Sequence, residues 1–261
     1  MVVESQTGAI EALRAFAKSD KHSLIISGES GVGKTYLARE YSQMLGISDF
    51  VVVKPTVDEL NETMDSVAGL DNKICVCIEN LDLGVVATSY TILKFVEEPR
   101  NNIYIVITCR NIDAVPSTIL SRCMSVVIPN PSKDDIVEYC KIYHFEDYAR
   151  LKNHLIYKCI KTMGDVEAVL SLKPDELEYF GNLSSVIAFS DSTSSIVYTL
   201  SHYPNKGKTP INIVLRYILL LAKDPAIQRF TIMCLDEIKN AHIAEWCALA
   251  MYVMRCKRYK L

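Results

Sequence analysis

Residues Gly28-Glu29-Ser30-Gly31-Val32-Gly33-Lys34-Thr35 form a complete GxxxxGK[ST] loop, and no other feature constrains the fold as much. Such a loop works where a strand delivers it and a helix leaves it. Both flanks comply. Ser23-Leu24-Ile25-Ile26-Ser27 reads as a buried strand, and Tyr36 to Leu45 carries apolar residues at helical spacing up to Gly46. The glycines let successive backbone N–H groups close around a β-phosphate, and the helix N-terminus adds its positive end. The pattern predicts a nucleotide site made of Gly28, Glu29, Ser30, Gly31, Val32, Gly33, Lys34, Thr35 and Tyr36. In this reading Lys34 reaches the β/γ-phosphates and the Thr35 hydroxyl ligates Mg²⁺. ATP and Mg²⁺ are the expected cofactors. The rival reading is a loop that keeps its shape and no longer meets nucleotide.

Further elements follow in alternation. A helix over 9–17 leads into the first strand, Phe50-Val51-Val52-Val53 is a second strand, and 57–68 a polar helix. Ile74-Cys75-Val76-Cys77-Ile78 is apolar throughout, as a strand covered on both faces should be. A helix over about 85–97, a strand over 103–107 and another over 124–128 complete the series. This order predicts an α/β fold, a doubly wound parallel sheet with nucleotide at the strand C-termini. Pro129-Asn130-Pro131-Ser132 ends it, and only helical periodicity follows. Ser132 is a plausible cap for a helix that begins with Asp134 and Asp135. Breaks at Lys173-Pro174 and over 203–210 divide the remainder. The expected domains are a nucleotide-binding sheet domain (1–130), a small helical lid (131–174) and a helical C-terminal collar (175–261).

Composition removes several classes. The net charge is −3 over 261 residues, so any nucleic-acid contact must be a local patch. The nine cysteines include no CxxC pair, which argues against structural zinc. With no signal peptide visible, they are expected to be free thiols in a reducing cytosol, bacterial or that of an infected host. The longest apolar run, Ile211 to Ala222, contains Asn212 and Arg216 and is too short to span a bilayer.

Three further segments narrow the reading: Ile78-Glu79-Asn80-Leu81-Asp82, Leu93-Lys94-Phe95-Val96-Glu97-Glu98-Pro99, and Pro116 to Ser121-Arg122-Cys123. Over about residues 5–130 the chain resembles the AAA+ subunits of sliding-clamp loaders. That group includes the bacterial DNA polymerase III gamma/tau and delta-prime subunits, their phage counterparts and the replication factor C small subunits. The resemblance implies that Arg122 acts in trans on the ATP of a neighbouring subunit, where a guanidinium stabilises charge on the transferred phosphoryl group. It implies that Thr108 orients the attacking water, and it sets Gln6 and Thr7 near the base pocket. Other loader subunits in a ring, a sliding clamp and primer-template DNA are the implied partners. No cysteine-rich insert lies between the P-loop and the third strand, which is similar to compact phage versions.

The departures concern hydrolysis. Without a gap, Glu79 falls on the metal-side acid and Asn80 on the catalytic glutamate. Shifted by one, Glu79 is catalytic and Ile78 takes the metal side. Either register loses one carboxylate, and an amide can hold a water but cannot accept its proton. In Gly164 to Leu172, which resembles the segment carrying the sensor-2 arginine, the chain has Glu167. The reading is a subunit that binds ATP and hydrolyses it poorly, as delta-prime stators do. The alternatives are a hydrolysing motor subunit, with Glu79 or Asp82 compensating for Asn80, and a helicase-loader-type AAA+ switch. DNA contact should be to phosphate, with Lys94, Arg100, Arg110 and the amides near Val85–Thr88 as candidates. The basic stretch 255–260 reads as a solvated helix end, and Trp246, Met251 and Met254 as core or collar packing.

Overall fold

The computed structural model describes residues 3–84, 86–98, 102–172, 178, 181–182, 185–186, 211–240, 249 and 251–255. The chain divides into two compact units, residues 1–135 and 136–261.

The first unit is built on β1 (Ser23–Ser27), β2 (Asp49–Val53), β3 (Ile74–Ile78), β4 (Ile103–Cys109) and β5 (Met124–Val127). These strands pair in parallel in the order β2-β3-β4-β1-β5. Parallel neighbours need crossovers, and α2 (Lys34–Met44), α3 (Val57–Val67), α4 (Val86–Glu97) and the short α5 (Ser117–Leu120) provide them, while α1 (Thr7–Phe16) precedes β1. Successive side chains of a strand point to opposite faces, and the two cores show it. Ile25, Ile74, Val76, Ile78, Ile105 and Ile107 pack with Leu60, Met64, Ile92 and Val96 of α3 and α4. Leu24, Ile26, Cys75, Cys77 and Val106 pack on the other face with Ile10 and Leu13 of α1 and Leu37 and Tyr41 of α2. Every residue of β1 and β3 is therefore buried, which explains their unbroken apolar sequences. Edge strand β2 differs, since Val51 and Val52 are 36% and 41% exposed.

Most expected boundaries fall within two residues of the observed ones. Helix α2 begins earlier, at Lys34, because its first turn is part of the loop. It ends before Gly46, whose φ of +71° is the left-handed conformation that stops a helix.

The second unit opens with α6 (Lys133–Tyr143, its first residues in the first unit), α7 (Phe145–Leu151) and α8 (Met163–Leu170), followed by α9 (Ile211–Leu221) and α10 (Pro225–Asn240). Ser132 caps α6 as expected. Its hydroxyl accepts the Asp135 N–H at 3.1 Å, while Asp135 Oδ2 accepts the Ser132 N–H at 2.7 Å. Thr162 and Asp165 form the same reciprocal box at α8. One apolar cluster runs from Ile136 through Val166 and Ile218 to Tyr252. The basis for the break at Lys173-Pro174, the 203–210 loop and Trp246 lie outside the described residues. Met254 is 53% exposed, so it is no core residue; the buried face there is Leu249, Tyr252 and Val253. Arg255 forms a two-pronged ion pair with Glu237 (2.5 and 2.9 Å) rather than a free helix end, and 256–260 are outside the described residues. Among the described residues no helix is long and apolar enough to cross a membrane.

Candidate nucleotide site

The site gathers at the carboxyl ends of β1, β3 and β4. Register brings them level: Ser27 pairs with Cys109, and Ile78 with Ile107. The chain leaves β1 at Gly28, where a Cβ would meet the Ile128 carbonyl oxygen at 2.9 Å, so only glycine fits that approach. Gly31 and Gly33 have φ of +80° and +95°, left-handed values that a residue with a Cβ resists. Gly33 precedes α2, and no side chain caps that helix. The N–H groups of a helix's first turn have no intrahelical partner, so they are open to an anion.

Lys34 is 7% exposed, and its ammonium donates to the carbonyls of Gly28 and Glu29, both at 2.8 Å. Burial lowers its pKa from 10.5. Asp82 and Glu79 oppose that fall, and Arg110 adds to it. Thr35 Oγ1 donates to Glu79 Oε1 at 2.5 Å. Ile78 is fully buried in the core below. Asn80 is the one described non-glycine residue with positive φ, at +50°. Its N–H donates to Thr108 Oγ1 at 3.0 Å, so Thr108 fixes the turn that follows β3. Tyr36 sits in the first turn of α2 with 44% exposure, Ser30 is exposed and Val32 is buried. Gln6 joins the loop through a 2.8 Å hydrogen bond from Nε2 to the Val32 carbonyl, whereas Thr7 donates to Glu4.

The donor set fits a nucleotide with Mg²⁺. Three glycines shape the loop, a buried ammonium lies against its carbonyls at the start of α2, and a hydroxyl meets a carboxylate. Mg²⁺ takes one or two protein oxygens beside phosphate and water, and Thr35 and Glu79, already in contact, would supply them. When bound, the metal would neutralise charge on the phosphates.

Arg122 makes its contacts with Thr118, Ser121 and Glu97. It donates to the Thr118 carbonyl at 2.8 Å and pairs with Glu97 at 2.7 Å, with 39% and 41% of the two side chains exposed. Glu167, 52% exposed, accepts from Tyr139 Oη at 2.6 Å and contacts His144 Nε2 at 2.7 Å. Lys94 is exposed, while Arg100 and Val85 lie outside the described residues. Arg110, one of the candidate contacts to DNA phosphate, has 20% of its side chain exposed and is paired with Asp82. That pair was not visible in the sequence because its members, 28 residues apart, meet only when the ends of β3 and β4 lie side by side.

Comparison with known proteins agrees with this architecture. A family described as DNA polymerase III, delta subunit, matches residues 48–132. The DNA polymerase III subunit gamma of Buchnera aphidicola subsp. Schizaphis graminum is 25% identical over 150 residues, 46% of this chain and 41% of that protein. The corresponding subunit from subsp. Baizongia pistaciae is 23% identical over 250 residues, 84% of this chain and 61% of that protein. The chain thus spans between 41% and 61% of the length of these relatives. In fold it is similar to a DNA polymerase III gamma subunit-related protein of Thermotoga maritima, with a TM-score of 0.53 and 15% identity over 97% of this chain and 100% of the other. Taken with the P-loop at the end of β1 and the parallel sheet, these likenesses are to AAA+ subunits of the sliding-clamp-loader type.

Proposed function

We propose that the chain is an ATP-binding subunit of a ring-shaped sliding-clamp loader. It binds ATP and Mg²⁺, donates Arg122 to the ATP of a neighbouring subunit, hydrolyses its own ATP slowly and helps place the clamp on primed DNA. The observation that carries this reading is the Thr35–Glu79 hydrogen bond with Asn80 next in the chain. A carboxylate that already meets the Mg²⁺-binding hydroxyl supports Glu79 as the metal-side acid, and the burial of Ile78 argues against the shifted register. Asn80 then stands where a catalytic glutamate is expected. Its amide can position a water without taking its proton. Thr108 accepts the Asn80 N–H and keeps its own O–H to donate, which supports a water-orienting role.

The Arg122–Glu97 pair supports action in trans. An exposed ion pair contributes about 0–1 kcal/mol, so a phosphate from a neighbour displaces Glu97 at small cost. Glu167, engaged with Tyr139 and His144, supplies no positive charge for a phosphate. The division into a sheet domain (1–130), lid (131–174) and collar (175–261) belongs to this reading, as do phosphate contacts to DNA from Lys94. The test is affinity purification of the tagged chain from its native cell with ATP and Mg²⁺, identifying what co-purifies. A sliding clamp with other AAA+ subunits is the expected result. A replicative helicase without a clamp would overturn the assignment.

A further inference from the structure

The Asp82–Arg110 pair is used by neither the phosphate loop nor the trans-acting arginine, yet it is built into the same corner. The Gly28 N–H donates to the Cys109 carbonyl at 3.1 Å, so Arg110 leaves β4 against the first residue of the loop. Asp82, with a side chain only 2% exposed, holds Arg110 at two points: Oδ1 accepts the backbone N–H at 3.1 Å, and Oδ2 lies 3.4 Å from Nε. This is not the two-pronged contact by which a carboxylate satisfies a guanidinium. The Nε atom is buried and makes no hydrogen bond. Among the described residues the terminal nitrogens have no hydrogen-bond partner either. Asp82 therefore leaves the guanidinium incompletely paired, and the accessible fifth of the Arg110 side chain is the part that can meet an anion. The charges of Asp82 and Arg110 both act on Lys34, which places the pair within electrostatic reach of the phosphate-binding ammonium.

We propose that Arg110 is a ligand of the terminal phosphate acting in cis, tethered by Asp82, and that it makes the site prefer a nucleoside triphosphate to a diphosphate. The proposal rests on the P-loop being a nucleotide site. It gives this subunit a guanidinium at its own phosphates although the sequence carries Glu167 where the resemblance places one. Arg110 in this role touches the phosphate directly, whereas Asp82 positions it.

Equilibrium titration of the full chain with Mg·ATP and with Mg·ADP tests the idea on wild type, Arg110→Gln and Arg110→Lys. In Arg110→Gln the ATP/ADP affinity ratio should fall about tenfold, the worth of one charge-assisted hydrogen bond. Arg110→Lys should fall less, because it keeps the charge and loses the fork. An equal loss of both affinities, or an unchanged ratio, would overturn the proposal. If Arg110→Gln fails to fold, Arg110→Lys decides: a lowered ratio supports the proposal and an unchanged ratio overturns it. A wild-type chain that binds neither nucleotide would remove the nucleotide reading itself, an outcome distinct from the others.

Discussion

Lys34 holds its charge in a buried position that the loop carbonyls stabilise only in part. In the folded chain its pKa lies below 10.5, so between the lowered value and 10.5 the unfolded chain binds more protons. Over that window folding stability from this group rises with pH. Phosphate binding runs the other way, because an anion favours the charged ammonium. ATP affinity should therefore fall as pH climbs through the lowered pKa, starting below pH 10.5, and a dissociation constant flat to that pH would contradict this. Asn80 offers a second test. Asn and Asp tolerate a positive φ better than most residues, so Asn80→Asp should keep the turn and add a base. ATP turnover should rise at least about tenfold, short of the ~100-fold of a well-placed base because Asp is one methylene shorter than Glu. Unchanged turnover in single-turnover assays would count against Asn80 as the missing catalytic group. Lys34 was marked by the P-loop motif, which fixes its spacing, whereas Glu79, Asn80 and Thr108 were candidates only through the resemblance, with the register of the first two left open. The Asp82–Arg110 pair and the Gln6 contact to Val32 were not, since both depend on which strand and loop ends become neighbours.

Elements were legible where burial follows from sequence alone. The uninterrupted apolar runs of β1 and β3 state that both faces are covered, and the two cores agree. Phe50-Val51-Val52-Val53 reads the same way, yet it forms an edge; a run of valines does not record whether a second neighbour exists. Capping was legible at α6 from Ser132 and Asp135. At α8 the box carries more. Asp165 accepts from Arg216 Nη1 at 2.6 Å and from the Thr162 N–H at 3.1 Å, and its side chain is 7% exposed. Asp165→Ala would remove the reciprocal half of the box, keeping the Thr162 cap, and leave the Arg216 guanidinium, 16% exposed, without its carboxylate. Breaking a buried pair on one side costs about 3–5 kcal/mol, so the denaturant midpoint should drop sharply. A change under about 1 kcal/mol, typical of an exposed pair, would contradict the assigned role.

For the whole molecule, the sheet positions one nucleotide site at its strand ends and presents an arginine elsewhere on the same unit. The proposed function has this arginine complete a neighbour's site. Arg122→Ala should lower ATP hydrolysis by the assembled ring while leaving this chain's own ATP affinity unchanged; loss of its own binding would place Arg122 in cis. Fold class was legible from the P-loop and the alternation of strands and helices, and the likeness to loader subunits from the Glu-Glu-Pro helix end and the Ser-Arg-Cys triplet. The helical remainder was less so, because helical periodicity alone does not say which helices share a core.

In the proposed role the chain binds ATP and scarcely hydrolyses it. The most direct measurement is to bind labelled ATP to the purified full chain with Mg²⁺ and follow the bound label over time. Binding that Lys34→Ala abolishes, with the label remaining ATP over many minutes, is the expected result. No binding, or prompt conversion of the bound label to ADP, would contradict it.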